Sequence, residues 1–369
     1  MFTRVRELIE SRHQNAMKWK EEGERKIVGY LCTYSPEEII HASGAIPVRV
    51  VGSGEPVTLA DAHLQTFYCT FCRGFLDECL KGSYDYLDAL IGGYSCDHYD
   101  TAFEIWTHNR PTAFNRKIDI PSIVNTPEAK EFFIEELKIF RNKLGEAMGV
   151  EISDDALRNS INVYNTHRTL LKETYLLRKK DTPAITGTEA LETLLAGMYM
   201  LKEEHNQLME ELLSGIEDRE ACAAGAARLM VTGSELDDAG IYRLIEELGA
   251  VVVTDDICTG TRYMWDLTPE QGDPIEAIAD RYLNKIPCPV KHPSDPRYDH
   301  IQNMVNEFNV QGVVIIIRKF CNTFEWDNPR LAEFLRKINI PYTQIELDTT
   351  FGSDEVKSKV QGLMDIIGG

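Results

Sequence analysis

Short apolar runs alternate with helix-like patterns in both halves of the chain. In the first half, Lys26–Leu31, Ile46–Val51 and Asp88–Gly93 are nearly continuous apolar runs. The second half repeats the alternation, with apolar runs at 228–233, 250–256, 312–317 and 343–348. Parallel strands covered on both faces are apolar throughout. The alternation therefore predicts an α/β fold with two Rossmann-like, doubly wound parallel-sheet domains.

A long helical region separates the two sets of strands. Apolar residues recur every three or four positions from Pro127 to Gly215, with Ser153 and Thr188 as expected N-caps. A chain of 369 residues is long enough for two domains. The small-residue segment 221–227 then marks the boundary. We predict an N-terminal α/β domain with a helical connecting segment at 1–224 and a C-terminal α/β domain at 225–369.

The segment after the first predicted strand carries a helix-start signal. Ser35 is an expected N-cap, Pro36 suits the first helical position, and Glu38 would complete a capping box. Cys32 lies between this helix and the strand, where open α/β sheets bind ligands. Capping is the favoured role of the polar residues here, and acid–base chemistry by Glu37, Glu38 and His41 is the alternative.

Composition and charge exclude several classes of protein. The net charge of −20 argues against binding to nucleic acid. The longest apolar run, Val313–Ile317, is too short to span a membrane, and the charged N-terminus predicts no signal peptide. These features predict a cytoplasmic protein. Neither a dinucleotide fingerprint nor a P-loop is present, so NAD binding and ATP hydrolysis are not expected.

The nine cysteines are the main candidates for chemistry. In a reducing compartment they would be buried thiols, metal ligands or catalytic groups rather than disulfides. Cys69 and Cys72 form a C-x-x-C pair, which suits a redox pair, half a zinc site or plain packing. Three other cysteines each follow a predicted strand: Cys96, Cys258 and Cys321. Thiols gathered at strand ends suit an iron–sulfur cluster, and buried free thiols fit the spacing equally well.

The remaining cysteines and one arginine carry weaker signals. Cys79, Cys222 and Cys288 are interpreted as core or surface thiols. Arg262 lies in a polar loop at a strand end, where it could meet a phosphate or a carboxylate. A plain turn explains that loop equally well.

Several motifs together resemble one known family. They are YSPEEIIHASGAIPV (34–48), Cys69 followed by Arg73, YDYLDALIGGYSCD (84–97), DDICTGTR (255–262) and KFCNTFEWDNP (319–329). The chain resembles the 2-hydroxyacyl-CoA dehydratase D-component family, which includes the core subunits of ATP-dependent benzoyl-CoA reductase. The resemblance runs over nearly the whole chain. It implies a cluster in the inter-domain cleft.

The resemblance also implies a cofactor, ligands and partners. A [4Fe-4S] cluster would be held by Cys69, Cys96 and Cys321, with Cys72 as an extra cysteine. Single low-potential electrons would pass to an acyl-CoA thioester, in an anaerobic lyase or oxidoreductase component. A separate ATP-hydrolysing iron–sulfur activator protein would supply them. A related second subunit would form a heterodimer, or two copies a homodimer.

Two alternatives remain beside this interpretation. Cys32 and Cys258 occupy places that carry cysteines in the related double-cubane proteins, whose [8Fe-9S] cluster needs six cysteine ligands. The sixth position falls near Lys81–Tyr84, which has no cysteine, and Cys72 or Cys79 could replace it only with a changed chain path. The single cluster is therefore favoured over a homodimeric double-cubane reductase of small molecules. The second alternative is a non-catalytic electron-relay subunit.

Overall fold

Two parallel sheets form the framework of the molecule. The computed structural model describes residues 2–23, 25–216, 219, 224–348 and 353–368. The first sheet contains β1 (Ile27–Tyr30), β2 (Ile46–Arg49), β3 (Ala89–Gly93) and β4 (Phe114–Ile118). The second contains β5 (Ala227–Gly233), β6 (Ala250–Asp256), β7 (Gly312–Arg318) and β8 (Tyr342–Leu347). The fold class predicted from the apolar runs is confirmed.

The two sheets have the same topology. Their strand orders are β2-β1-β3-β4 and β6-β5-β7-β8, with every pairing parallel. In each sheet the second strand along the chain pairs with one side of the first strand, and the third and fourth strands lie on its other side. The switch points therefore lie between β1 and β3 and between β5 and β7. Ligands bind beyond the carboxyl ends of strands at such points.

Helices connect the strands and fill the middle of the chain. Before and within the first sheet they are α1 (Phe2–Glu10), α2 (Arg12–Gly23), α3 (Glu37–Ala42), α4 (Thr70–Lys81) and α5 (Asp97–Asn109). The middle region holds α6 (Pro127–Met148), α7 (Asp154–Leu176), α8 (Gly187–Gly197) and α9 (Lys202–Ser214). The second half holds α10 (Gly240–Glu247), α11 (Thr261–Met264), α12 (Pro274–Asn284), α13 (Asp295–Glu307), α14 (Asn322–Lys337) and α15 (Ser353–Gly368). No helix within the described ranges is both long and apolar enough to cross a membrane.

Two helix-start predictions are wrong, and at one of them a tertiary contact takes the side chain elsewhere. Ser153 caps α7 as expected, but Thr186, not Thr188, caps the next helix, with Glu189 completing its capping box. At α3 no side chain of the described residues caps the helix. The side chain of Glu38 instead forms a fully buried ion pair with Arg168 of α7. A buried guanidinium partner is worth more to a carboxylate than a cap at a helix end.

Helix α12 joins the two halves of the chain. Ile275 and Ile278 share a buried cluster with Val28 of β1 and Ile91 of β3, although they follow the second sheet's first two strands. The second-half helix therefore completes the core of the first sheet. The division at 224/225 stays a prediction, since residues 221–223 of the predicted boundary segment, with Cys222, lie outside the described residues.

Candidate metal centre

Cysteine side chains from both halves of the chain surround one cavity. It has a volume of about 490 Å³, within the range of small-molecule sites. Its thiols come from Cys32, Cys69, Cys72, Cys96, Cys258, Cys288 and Cys321. All are free, as is the remaining described cysteine, Cys79, which lies away from the cavity.

Sheet topology explains why these cysteines meet. Cys32 follows β1 and Cys96 follows β3, so both lie at the first switch point. Cys321 follows β7 at the second switch point, and Cys258 follows β6 beside it. The carboxyl ends of parallel strands share one edge of a sheet. The cavity thus lies where the corresponding edges of the two sheets face each other.

The three cysteines expected to be ligands share a second feature. Cys69, Cys96 and Cys321 are the N-cap residues of α4, α5 and α14. None of the three side chains bonds to its helix as a cap. The backbone N–H of Thr70 donates to the carbonyl of Lys319 at 3.3 Å, which ties the start of α4 to the loop of Cys321. Three positive helix ends therefore point at the cavity, where they favour thiolate over thiol.

Burial opposes the thiolate form. A hydrogen bond with Cys321 lowers the pKa of Cys69, but a bond with Cys72 and burial outweigh it and raise that pKa to about 12. Burial raises the pKa of Cys72 to about 11 and also raises the pKa of Cys96 and of Cys258. These thiols hold their protons at neutral pH unless a cation binds them, so metal binding would release protons.

The arrangement of thiols around the cavity suits a group of several metal ions better than a single ion. Across the described ranges, no three cysteine, histidine, aspartate or glutamate side chains converge closely enough to hold a single ion. Thiols spread around a cavity instead suit a polynuclear group in which each metal takes one thiolate. A half zinc site at Cys69 and Cys72 is not favoured by this geometry.

Two buried guanidinium groups with unsatisfied N–H donors lie beside the thiols. Arg49 is ion-paired with Glu235 of the cavity wall and donates to the Tyr99 hydroxyl at 3.1 Å. Several of the guanidinium nitrogens have no hydrogen-bond partner among the described residues. They include Nε and Nη1 of Arg49 and Nη1 of Arg262. The charge of Arg262 lowers the pKa of Cys258, although burial raises it more. Buried donors without acceptors are costly. The positive charge of both guanidinium groups acts on the Cys258 thiol and would stabilise an anionic cluster in the cavity, so the residues present fit such a group.

The structure changes the interpretation of two residues. Arg262 is buried, lies 3.2 Å from Asp256 and donates to the carbonyl of Gly233 at 2.8 Å, so it is not exposed to a substrate phosphate. Cys288, expected to be a core or surface thiol, lines the cavity. Cys288 lies in the loop after α12, and its own backbone N–H donates to the Tyr34 hydroxyl at 3.2 Å. Neither a strand end nor a helix start marks it in the sequence.

Comparison with known proteins identifies relatives over nearly the whole length. The family model described as 2-hydroxyglutaryl-CoA dehydratase, D-component, matches residues 32–367. The (R)-phenyllactyl-CoA dehydratase beta subunit of Clostridium sporogenes is 25% identical over 367 residues, covering 99% of this chain and 98% of that one. One subunit of the benzoyl-CoA reductase of Thauera aromatica is 27% identical over 335 residues, covering 89% and 87%. The (R)-2-hydroxyglutaryl-CoA dehydratase subunit beta of Acidaminococcus fermentans is 26% identical over 342 residues, covering 90% and 89%.

Proposed function

This chain belongs to the 2-hydroxyglutaryl-CoA dehydratase D-component family, and on that premise we propose that it is the iron–sulfur subunit of an activator-dependent acyl-CoA dehydratase or reductase. Cys69, Cys96 and Cys321 would hold a [4Fe-4S] cluster in the cavity. The cluster would supply single low-potential electrons to an acyl-CoA thioester. A reducing cytoplasm suits both the free thiols and the chemistry.

One observation carries the proposal more than any other. The three cysteines singled out by the family resemblance are the three that occupy N-cap positions of helices beginning at the cavity. Three cysteine ligands leave one iron of a cubane open. That open position is what a thioester oxygen would need in order to approach.

Groups behind the cavity wall and at its edge would act beside the ligands. Arg49, fixed by Glu235 and Tyr99 of the wall, would stabilise the charge held by the thiolates with its buried positive charge. Trp326, which is 85% exposed, stands at the edge of the cavity. Its indole gives an apolar surface against which an acyl group could lie.

Partners follow from the relatives, which are named as subunits of dehydratases or of benzoyl-CoA reductase. We propose a related second subunit, or a second copy of this chain. We also propose a separate ATP-hydrolysing activator protein as the electron source, since this sequence contains no P-loop.

Anaerobic turnover with the activator tests this function. The chain, purified with its second subunit, should consume a 2-hydroxyacyl-CoA or an aromatic acyl-CoA only when activator, ATP and a low-potential reductant are all present. Thioester consumption is followed by chromatography and cluster reduction by EPR. Reduction of the cluster without consumption of either substrate class would favour the electron-relay alternative. An iron-free protein would contradict the proposal.

A second candidate is a double-cubane reductase of small molecules. It is favoured by the four further thiols in the same cavity, those of Cys32, Cys72, Cys258 and Cys288. Cys288, which reaches the cavity by a different chain path, would supply the sixth ligand position that the sequence left empty.

Iron counting separates the two candidates. The single cluster predicts about 4 iron per chain and the double cluster about 8. With a single cluster, Cys288→Ser should leave the iron content unchanged; with a double cluster it should lose about half. Cys79→Ser, a buried thiol away from the cavity, is the matched control and should lose none.

A further inference from the structure

Two buried lysines lie behind the cavity wall. Lys285 is 3% exposed and Lys291 is 2% exposed. Within the part of the chain that the structure describes, neither forms an ion pair with a carboxylate. Buried ammonium groups are ordinarily paired, because the loss of hydration is costly. Among the described residues, both side chains therefore lack the counter-charge that their position calls for.

The contacts of the two lysines fix them against residues of the wall. Nζ of Lys285 donates to the carbonyl of Thr33 at 2.8 Å. Nζ of Lys291 donates to the carbonyls of Ile120 and Pro121, each at 3.0 Å. The ring of Tyr34, which lines the cavity, lies 4.1 Å from Nζ of Lys285 and 5.3 Å from that of Lys291.

The groups near these lysines that can become negative are the cavity thiols. Burial lowers the pKa of Lys285, Arg281 lowers it further, and Cys32 and Cys258 raise it. Burial also lowers the pKa of Lys291, while Cys32 and Cys288 raise it. Both lysines pack against the Tyr34 ring, which lines the same cavity as these thiols. Thiolates there, or an anion in the cavity, would supply the counter-charge that protonated thiols do not.

We propose that Lys285 and Lys291 are the counter-charges of the anionic cluster in this cavity and hold its reduction potential up. The proposal rests on the cluster of the proposed function. Adding an electron makes a thiolate-bound cluster more negative, so nearby fixed cations favour the reduced form. The lysines are positioning residues: they act through the electrostatic field across the Tyr34 ring and do not touch substrate.

Redox titration of the intact iron-loaded protein tests the proposal. The variants are Lys285→Met, Lys291→Met and the double variant, with Lys285→Arg keeping the charge. The midpoint potential should shift to more negative values in each methionine variant and furthest in the double variant, and should stay near the wild-type value in Lys285→Arg. Lys337→Met removes a lysine whose side chain is 70% exposed and should cause no shift, because solvent and salt screen it.

If the lysines had a purely structural role, the midpoint potential of a folded, fully iron-loaded variant would not change. Circular dichroism establishes that each variant is folded, and iron analysis that it is fully loaded. If Lys285→Met fails to fold, Lys291→Met carries the test, since Lys291 donates to different carbonyl groups. If the iron-loaded methionine variants had the wild-type midpoint potential, the role of the lysines would be overturned and the proposed function would be unaffected. A wild-type protein that binds no iron would overturn both this role and the proposed function.

Discussion

Replacing Cys69, Cys96 or Cys321 with serine is expected to remove the iron and the visible absorption of the anaerobically purified protein. Each variant should bind at least about tenfold less iron than wild type, since even residues that only support metal ligands typically cost roughly 10–100-fold in affinity. Serine is nearly isosteric with cysteine, but its hydroxyl is a hard, weakly acidic ligand that does not replace a thiolate on iron. Iron and sulfide analysis with visible spectroscopy measures the loss.

Cys79→Ser is the matched control for these three variants. Cys79 is 2% exposed and lies on α4, the helix that Cys69 caps, but it does not line the cavity. The substitution should lower stability slightly and leave iron and absorption at wild-type levels. Full iron content in any of the three ligand variants would show that the assignment of that cysteine is wrong.

The gathering of cysteines around one cavity can be predicted from the sequence because it depends on strand ends. Apolar runs identify strands, parallel strands share a carboxyl edge, and Cys96 and Cys321 directly follow such runs. Cys69 is found by the family resemblance, and its place at a helix start agrees with its local pattern. Local rules are sufficient for these residues because backbone direction alone brings them together.

Residues that depend on distant contacts could not be predicted in this way. Cys288 reaches the cavity because α12 packs on the core of the first sheet, far from its own sheet in sequence order. Lys285 is buried for the same reason, and no local pattern distinguishes it from a surface lysine. Glu38 has the spacing of a capping residue, and only the fold shows that α7 offers it a better partner.

Arg168→Met is expected to be the most destabilising single change of charge in the connecting region. Arg168 and Glu38 are both fully buried, and Glu38 also accepts from the Tyr282 hydroxyl of α12 at 2.9 Å. Removing the guanidinium leaves a carboxylate in the interior without its ion-pair partner. The free energy of unfolding should fall by about 3–5 kcal/mol, measured by urea denaturation followed by circular dichroism.

The pH dependence of this loss gives a second measurement. Burial raises the pKa of Glu38, but Arg168 outweighs it and lowers that pKa to about 2. The stabilisation is thus complete above the unfolded value of about 4.3 and is lost as pH falls towards 2. In Arg168→Met burial still raises the pKa of Glu38 and the largest lowering charge is gone, so that pKa rises and the variant loses less stability on acidification than wild type, although Arg281 still lowers the pKa. The difference from wild type should therefore shrink below about pH 4.

Two further variants decide whether the pair itself is responsible. Arg4→Met removes a guanidinium whose side chain is 62% exposed and 3.5 Å from Glu211, and should cost about 1 kcal/mol or less. Glu38→Gln combined with Arg168→Met leaves neither charge of the pair behind and should recover part of the loss, as a double-mutant cycle measures directly. If the double variant were as unstable as the sum of the single ones, the cost would lie in packing around α7 and not in the uncompensated carboxylate.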